Sequence, residues 1–141
     1  MRFLIVDDSD VPLKFLARFL AQAGHQVAGV ARNGQEAVEQ VERLHPDVIV
    51  MDVIMPRLNG LEALDIIRRA HPRVRVIMAS GLRSCDTAIE SEKRGASYFL
   101  CKPFQESQLR KVISLLEREL ESSSQSASSD KAKTIKPHRS A

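Results

Sequence analysis

Apolar residues follow one another along the chain in two alternating patterns, short continuous runs and longer stripes with helical spacing. Continuous runs are typical of buried strands, and stripes that repeat every three or four residues are typical of amphipathic helices. Five strands alternate with five helices through short connections, which predicts a parallel sheet covered by helices on both faces. The predicted strands are residues 2–6, 26–31, 47–51, 74–79 and 97–101.

Each predicted helix except the fourth presents one clear apolar stripe. The first begins at the N-cap Asp10 and stops at Gly24, and the last runs from Gln105 to about Leu120. The fourth, over residues 85–94, is weaker and more polar. The residues expected to face the core are Phe15, Leu16, Phe19, Leu20 and Ala23 in the first helix, Ala37, Val38, Val41 and Leu44 in the second, Leu61, Leu64 and Ile67 in the third, and Leu109, Val112, Ile113, Leu116 and Leu120 in the last.

The composition changes sharply at residue 122. Six of the eight residues from Ser122 to Ser129 are serine, and four basic residues follow them. Such a segment cannot bury enough apolar surface to offset the entropy lost on ordering. The sequence therefore predicts one folded domain over residues 1–121 and a disordered, serine-rich, basic tail over residues 122–141.

The positive charge lies in this tail. Residues 1–121 carry 17 Lys and Arg against 17 Asp and Glu, so the formal net charge of +3 comes from the tail alone. The folded part has no basic stripe with interleaved aromatics, and we expect no direct nucleic-acid contact. No apolar stretch approaches the roughly 20 residues of a membrane span, and no signal-peptide pattern is present. We expect a soluble, cytoplasmic protein.

Cysteine and histidine show no metal-ligand spacing. Cys85 and Cys101 are expected to be small packing residues. The four histidines are expected to be surface residues, namely His25, His45, His71 and His138.

Polar side chains stand at the carboxyl ends of four predicted strands. Asp7 and Asp8 follow the first strand, Asp52 the third, Ser80 the fourth and Lys102 the fifth. Ligands of open parallel sheets bind beyond this edge, where the strand order reverses. We therefore expect these five side chains to converge there.

Three neighbouring carboxylates repel one another by about 4 kcal/mol per pair at 4 Å and an effective dielectric of 20. A hard divalent cation removes that conflict, and Mg²⁺ favours such oxygen ligands and also binds phosphate oxygens. Carboxylate attack on phosphorus is an established form of covalent catalysis, and it needs cations around the phosphoryl oxygens. The pattern indicates Mg²⁺-assisted phosphoryl transfer to an aspartate.

These residues occur in an ordered set that resembles the response regulator receiver domains of two-component signalling, and is similar to the single-domain chemotaxis regulators. The set consists of Asp7-Asp8, Asp52 with Met55-Pro56 and Gly60, Ser80-Gly81, and Lys102-Pro103-Phe104. The resemblance covers residues 1 to about 120. It implies a flavodoxin-like, doubly wound α/β fold whose five parallel strands have the order 2-1-3-4-5.

The resemblance also implies roles for the converging residues. Asp52 would accept a phosphoryl group from a histidine kinase, a phosphotransfer protein or a small phosphodonor. Asp8 and Asp52 would bind Mg²⁺ directly and Asp7 through water, with the backbone carbonyl of Ile54 as a further ligand. Lys102 would hold the phosphoryl group together with Ser80.

The implied output is a shift in conformation rather than turnover of a substrate. Ser80 and Phe99 would be the switch residues, and the Lys102-Pro103 bond would be cis. A downstream protein would bind the face of the last two helices, near residues 85–115, and the chain would be a monomer or a phosphorylation-dependent dimer. Such a protein is no enzyme beyond its own phosphorylation and dephosphorylation.

Two positions bear on the lifetime of the phosphoryl group. In the family, the residues two beyond the phosphoacceptor and two beyond the switch hydroxyl often tune hydrolysis. Here these residues are Ile54 and Leu82, and neither can orient an attacking water. We expect slow self-dephosphorylation.

Two alternatives stay open from the sequence. Asp8-Ser9-Asp10 fits the nucleophile motif of haloacid dehalogenase-like phosphatases, with Asp8 as nucleophile, although Asp52 then has no role. The chain could also be the regulatory fragment of a longer DNA-binding regulator. No helix-turn-helix pattern follows Leu120, which favours a stand-alone signal carrier.

Overall fold

The five predicted strands form one parallel sheet. The computed structural model describes residues 1–81 and 85–125. Its strand order is β2-β1-β3-β4-β5, with every pair parallel, which confirms the order implied by the resemblance. The strands are β1 (Arg2–Val6), β2 (Gln26–Ala31), β3 (Val48–Asp52), β4 (Arg75–Ser80) and β5 (Tyr98–Cys101).

Helices cover both faces of this sheet and divide the core in two. Leu4 and Val6 point to one face and Phe3 and Ile5 to the other, because side chains alternate along a strand. The first face packs against α2, α3 and α4, and the second against α1 and α5. The helices are α1 (Asp10–Gln22), α2 (Gly34–Leu44), α3 (Gly60–Ala70), α4 (Cys85–Lys93) and α5 (Glu106–Gln125).

Helix α1 differs from its prediction at its start and on its buried face. Ser9 is the N-cap and Asp10 is the first helical residue. Phe15 and Ala23 were expected to face the core but are exposed. The buried stripe begins earlier in the helix than predicted, and its residues are Leu13, Leu16, Phe19 and Leu20.

Helix α5 extends further than its apolar stripe indicated. It ends at Gln125, beyond the predicted end near Leu120, and its buried residues include Leu109 and Leu116 as expected. Residues 126–141 lie outside the described part of the chain, so the disordered tail stays a prediction. No described helix combines the length and the apolarity that crossing a membrane requires.

Candidate functional site

Three carboxylates converge at the carboxyl edge of the sheet. Asp7 and Asp8 follow β1, which pairs with β3, and Asp52 is the last residue of β3. The carboxyl ends of β1 and β3 lie at the same height in the sheet, because Val6 pairs with Met51. One oxygen from each of the three aspartates lies within 4.8 Å of the others. The sequence-predicted convergence is therefore present in the structure.

These carboxylates differ in their exposure to solvent. Asp7 is buried at 3% exposure, the Asp52 side chain is 12% exposed, and Asp8 is exposed. Asp7 is held from two sides, because its N–H donates to the Ala31 carbonyl at 3.1 Å and its Oδ1 accepts from the Ser9 N–H at 3.0 Å. The site therefore consists of two largely buried carboxylates, those of Asp7 and Asp52, and the solvent-exposed carboxylate of Asp8.

Lys102 contacts the two largely buried carboxylates. Its Nζ lies 2.6 Å from Asp7 Oδ2 and 3.4 Å from Asp52 Oδ2. Its backbone N–H donates to the Ser80 carbonyl at 2.8 Å, which places the lysine directly beside the end of β4. The following bond to Pro103 is cis, as the resemblance implied.

Burial and charge act in opposite directions on the ionisable groups of the site. Burial raises the pKa of Asp52 above its ordinary value, and the charge of Asp7 adds to this, while Lys102 and the Ile54 N–H partly offset it. Burial alone would lower the pKa of Lys102, but the hydrogen bond to Asp7 and the two carboxylate charges outweigh it and raise that pKa. The lysine is therefore a permanent cation here, and the Asp52 carboxylate is destabilised.

The loop between β3 and α3 is fixed by two glycines at close backbone contacts. A Cβ on Gly60 would lie 2.1 Å from the Asp52 carbonyl oxygen, and one on Gly34 would lie 2.0 Å from the Leu58 carbonyl oxygen. Gly60 also begins α3, where its N–H donates to the Val53 carbonyl at 2.7 Å. The same loop carries Ile54, whose side chain is 55% exposed beside Asp52. Only glycine permits this course of the loop.

The predicted switch residues lie on neighbouring strands. Ser80 ends β4, is fully buried and pairs in register with Cys101 on β5. Phe99 is also buried and packs on the face covered by α4. Its neighbour Tyr98 points to the opposite face, where its hydroxyl donates to Glu119 of α5 at 2.5 Å. Leu82, the second predicted tuning residue, lies outside the described residues.

An apolar cavity of about 580 Å³ opens beside the carboxylates, and the sequence analysis did not foresee it. It lies between the start of α1 and the loop after β5, and Asp52 and Lys102 stand in its wall. The rings of Phe15 and Phe104 lie 6.4 Å apart at its margin. No sequence signal indicated it, because Phe15 has the spacing of a core residue of α1 and only the structure shows that it lines the cavity.

The donor set fits a hard divalent cation. All three converging groups are carboxylates, their oxygens lie within 4.8 Å of one another, and the lysine neutralises one of the three charges. Mg²⁺ is typically bound by one or two such carboxylates together with waters and phosphate oxygens. Among the described residues, no other group of three potential ligands lies this close together.

The phosphatase alternative gains no support from the geometry. Its motif requires Asp8 and Asp10 to act on the same substrate. The Asp10 carboxylate instead pairs with Arg32 at 2.6 Å, at the start of the loop after β2, and its side chain is 62% exposed. That ion pair lowers the pKa of Asp10, so this residue is a poor proton donor.

Comparison with known proteins assigns the chain to a family. Residues 3–114 match the model of the response regulator receiver domain. The chemotaxis protein CheY of Thermotoga maritima is 38% identical over 112 residues, which are 79% of this chain and 93% of that protein. A protein-glutamate methylesterase of Bacillus licheniformis is 41% identical over 107 residues, but these are only 29% of that enzyme.

Solved structures agree with this assignment. CheY in a complex with CheX, beryllofluoride and magnesium from Borrelia burgdorferi has a TM-score of 0.79 and 29% identity, over 82% of this chain and 89% of that one. A CheY-like receiver domain protein from Methanospirillum hungatei has a TM-score of 0.80 and 26% identity, over 86% and 96%. This chain therefore belongs to the response regulator receiver domains of two-component signalling, with the CheY-like fold.

Proposed function

We propose that this receiver domain stores a signal as a phosphoryl group on Asp52 and relays it to a partner protein by a shift in conformation. The observation that carries the proposal is the contact of Lys102 with both Asp7 and Asp52 above a cluster of three carboxylates. A nucleophilic carboxylate, a cation for the phosphoryl oxygens and ligands for a metal thus lie at one point.

The transfer itself is a simple displacement at phosphorus. A carboxylate oxygen of Asp52 forms a bond to the phosphorus of a phosphohistidine or an acyl phosphate, and the bond from phosphorus to the imidazole or carboxylate leaving group breaks. Burial raises the pKa of Asp52, and the acyl phosphate carries more negative charge than the carboxylate, so the transfer depends on cations around the site. The donor is a histidine kinase or a phosphotransfer protein, or a small acyl phosphate.

Magnesium would be held by Asp8 and Asp52 directly and by Asp7 through water, with the Ile54 carbonyl as the backbone ligand. When bound, it supplies positive charge to the phosphoryl oxygens and offsets repulsion among the carboxylates. Lys102 supplies a second cation, and it can turn from Asp7 toward the new phosphoryl group because both lie within reach of its long side chain. Ser80 donates its hydroxyl to a third oxygen.

The shift in conformation follows from the contacts that Ser80 and Lys102 gain with the phosphoryl group. Ser80 and Lys102 end β4 and begin the loop after β5, so new contacts to the phosphoryl group draw these segments toward Asp52. Phe99 already packs in the core, so the inward arrangement is one that the fold accepts and phosphorylation stabilises. The affected surface is formed by α4, β5 and α5, where we propose that the downstream protein binds.

The phosphodonor protein would approach through the apolar rim of the site. Val11 is 77% exposed and lines the cavity between α1 and the loop after β5, and Ile54 is 55% exposed in the loop after Asp52. Exposed apolar side chains around a catalytic group are typical of protein contact surfaces.

Labelling with acetyl phosphate tests the proposal. We expect incorporation of one phosphoryl group into the wild type, dependence on Mg²⁺, and loss of labelling in Asp52→Asn. Asp10→Asn is the matched control, since its carboxylate is engaged with Arg32, and it should label normally. Labelling that survives in Asp52→Asn but is lost in Asp8→Asn, with steady release of phosphate, would support the phosphatase alternative instead.

A further inference from the structure

Helices α2 and α3 are followed by the same two residues, His45-Pro46 and His71-Pro72. Proline cannot continue a helix, and in each case the preceding histidine is the C-cap. The two helices are neighbours on one face of the sheet, and both run from its carboxyl edge to its amino edge. Their C-caps therefore meet, and the rings of His45 and His71 lie edge to face with centroids 6.1 Å apart.

A carboxylate completes this group. His71 Nε2 lies 3.0 Å from Oε1 of Glu42, which lies in the last turn of α2. The His71 side chain is 18% exposed, that of Glu42 is 72% exposed, and His45 is exposed. Two imidazoles and one carboxylate, accessible from solvent, thus lie at the ends of two adjacent helices.

The local electrostatics at this position combine the negative ends of two helices with the basic residues Arg43, Arg68 and Arg69 of their last turns. Each helix carries roughly half a negative charge at its C-terminus, and two such ends meet here beside the Glu42 carboxylate. The Arg2 guanidinium is held by the Leu44 and His45 carbonyls at 2.6 and 2.9 Å, on the backbone side of the C-cap.

We propose that His45, His71 and Glu42 form a surface site for a borderline divalent metal ion, Zn²⁺ above all. Two histidines and a glutamate, with water in the fourth position, form a ligand set that zinc accepts. The site lies at the amino edge of the sheet, whereas Asp52 lies at the carboxyl edge. It is therefore distinct from the acidic site, whose oxygen-only donors suit Mg²⁺.

Binding requires a movement of the exposed His45 ring, because the ligand atoms of the three residues do not all lie within 4.8 Å of one another. Two imidazoles on one zinc ion, with bonds of about 2.0 Å in tetrahedral geometry, place their centroids roughly 5 Å apart. The observed separation is 6.1 Å, so the His45 ring must both approach and rotate to turn a nitrogen toward the ion. The His71 and Glu42 atoms already have nearly the separation of two ligands on one ion. Zinc would replace the hydrogen bond between them and join the ends of α2 and α3.

Imidazole ¹H–¹⁵N spectra of the full chain, purified without a histidine tag and kept in excess Mg²⁺, test this proposal during titration with ZnCl₂. Resonances of His45 and His71 should shift together and saturate at one equivalent, while those of His25 stay in place. His45→Gln, His71→Gln and Glu42→Gln should each weaken zinc binding about tenfold or more, as loss of supporting ligands commonly does. His25→Gln is the matched control and should bind like the wild type.

Two results would overturn the proposal. One is a titration in which His45 and His71 do not shift, with zinc bound only by the aspartates at the other edge of the sheet. The other is binding that survives unchanged in both His45→Gln and His71→Gln. Thermal unfolding supplies a check that the variants are folded, and in it zinc should raise the midpoint of the wild type but not of His71→Gln.

Discussion

Lys102 Nζ lies 2.6 Å from Asp7 Oδ2, nearer than the 3.4 Å that separates it from Oδ2 of Asp52, the proposed phosphoacceptor. The cation that should hold the phosphoryl group is thus paired with a carboxylate of the proposed metal site. Because Asp7 is buried, this ion pair is only weakly screened by solvent. Binding of Mg²⁺ near Asp7 and binding of a phosphoryl group by Lys102 would both have to compete with this ion pair.

Replacing Lys102 should therefore separate two properties of the site. In Lys102→Met we expect Mg²⁺ to bind several-fold more tightly, because a unit positive charge beside its ligands is removed. Labelling by acetyl phosphate should nevertheless fall strongly, since the phosphoryl oxygens lose a cation. Calorimetric titration with Mg²⁺ measures the first effect. Lys111→Met, at an exposed position of α5, is the control, and Mg²⁺ affinity that is unchanged or weaker in Lys102→Met would contradict the competition.

Ile54 should limit the rate at which the phosphoryl group is lost. Its side chain is apolar, lies beside Asp52 and is 55% exposed, so it cannot orient water and can be replaced with little loss of packing. We expect Ile54→Asn to shorten the half-life of the phosphorylated protein by roughly tenfold, a modest share of what a positioned polar group supplies. Ile66→Asn, at an exposed apolar position of α3, is the control. An unchanged half-life in Ile54→Asn would show that hydrolysis is limited elsewhere.

The close approach of Gly60 to Asp52 predicts an effect of a single methyl group. In Gly60→Ala the new Cβ would lie 2.1 Å from the Asp52 carbonyl oxygen, so the loop after β3 must move. We expect the free energy of unfolding to fall by about 1–3 kcal/mol, the usual cost of overpacking. Gly81→Ala, where a Cβ meets nothing within 4 Å, is the control and should stay within about 0.5 kcal/mol. Urea denaturation measures both, and equal stabilities would show that the loop yields freely.

His25 should make the fold sensitive to mild acid. Burial lowers the pKa of His25 below its ordinary value of 6.5, and the Met1 amino group adds to this, although Glu117 acts the other way. The folded state then binds a proton less readily than the unfolded state, so this contribution to stability is full above pH 6.5 and is lost as the pH falls toward the folded-state pKa. The loss of unfolding free energy between pH 7.5 and pH 5.5 should be smaller in His25→Gln than in the wild type. A larger loss in the variant would reverse the sign of the effect.

Much of this fold could be predicted from the order of apolar runs in the sequence. Strands such as Val76-Ile77-Met78 are buried on both faces, so their continuous pattern is unambiguous, and the chemistry at their ends follows once they lie parallel. The buried face of α1 could be predicted less well. Phe15 is apolar and correctly spaced, yet it lines the cavity beside the site rather than the core.

Contacts between side chains that are distant in the sequence could not be predicted from the sequence pattern. The closer approach of Lys102 to Asp7 than to Asp52 depends on the rotamer of a long side chain, which no pattern encodes. The meeting of His45 and His71 depends on two adjacent helices ending at the same level, although their shared His-Pro ends were visible in the sequence. The end of α5 at Gln125 was also missed, because a serine-rich segment carries no apolar stripe.

The phosphoacceptor can be located directly. The phosphorylated protein is reduced with borohydride, which converts an aspartyl phosphate to homoserine, and the peptides are sequenced by mass spectrometry. The account predicts that homoserine appears at residue 52 alone and only after treatment with phosphodonor and Mg²⁺. Homoserine at Asp7 or Asp8, with Asp52 unchanged, would contradict it.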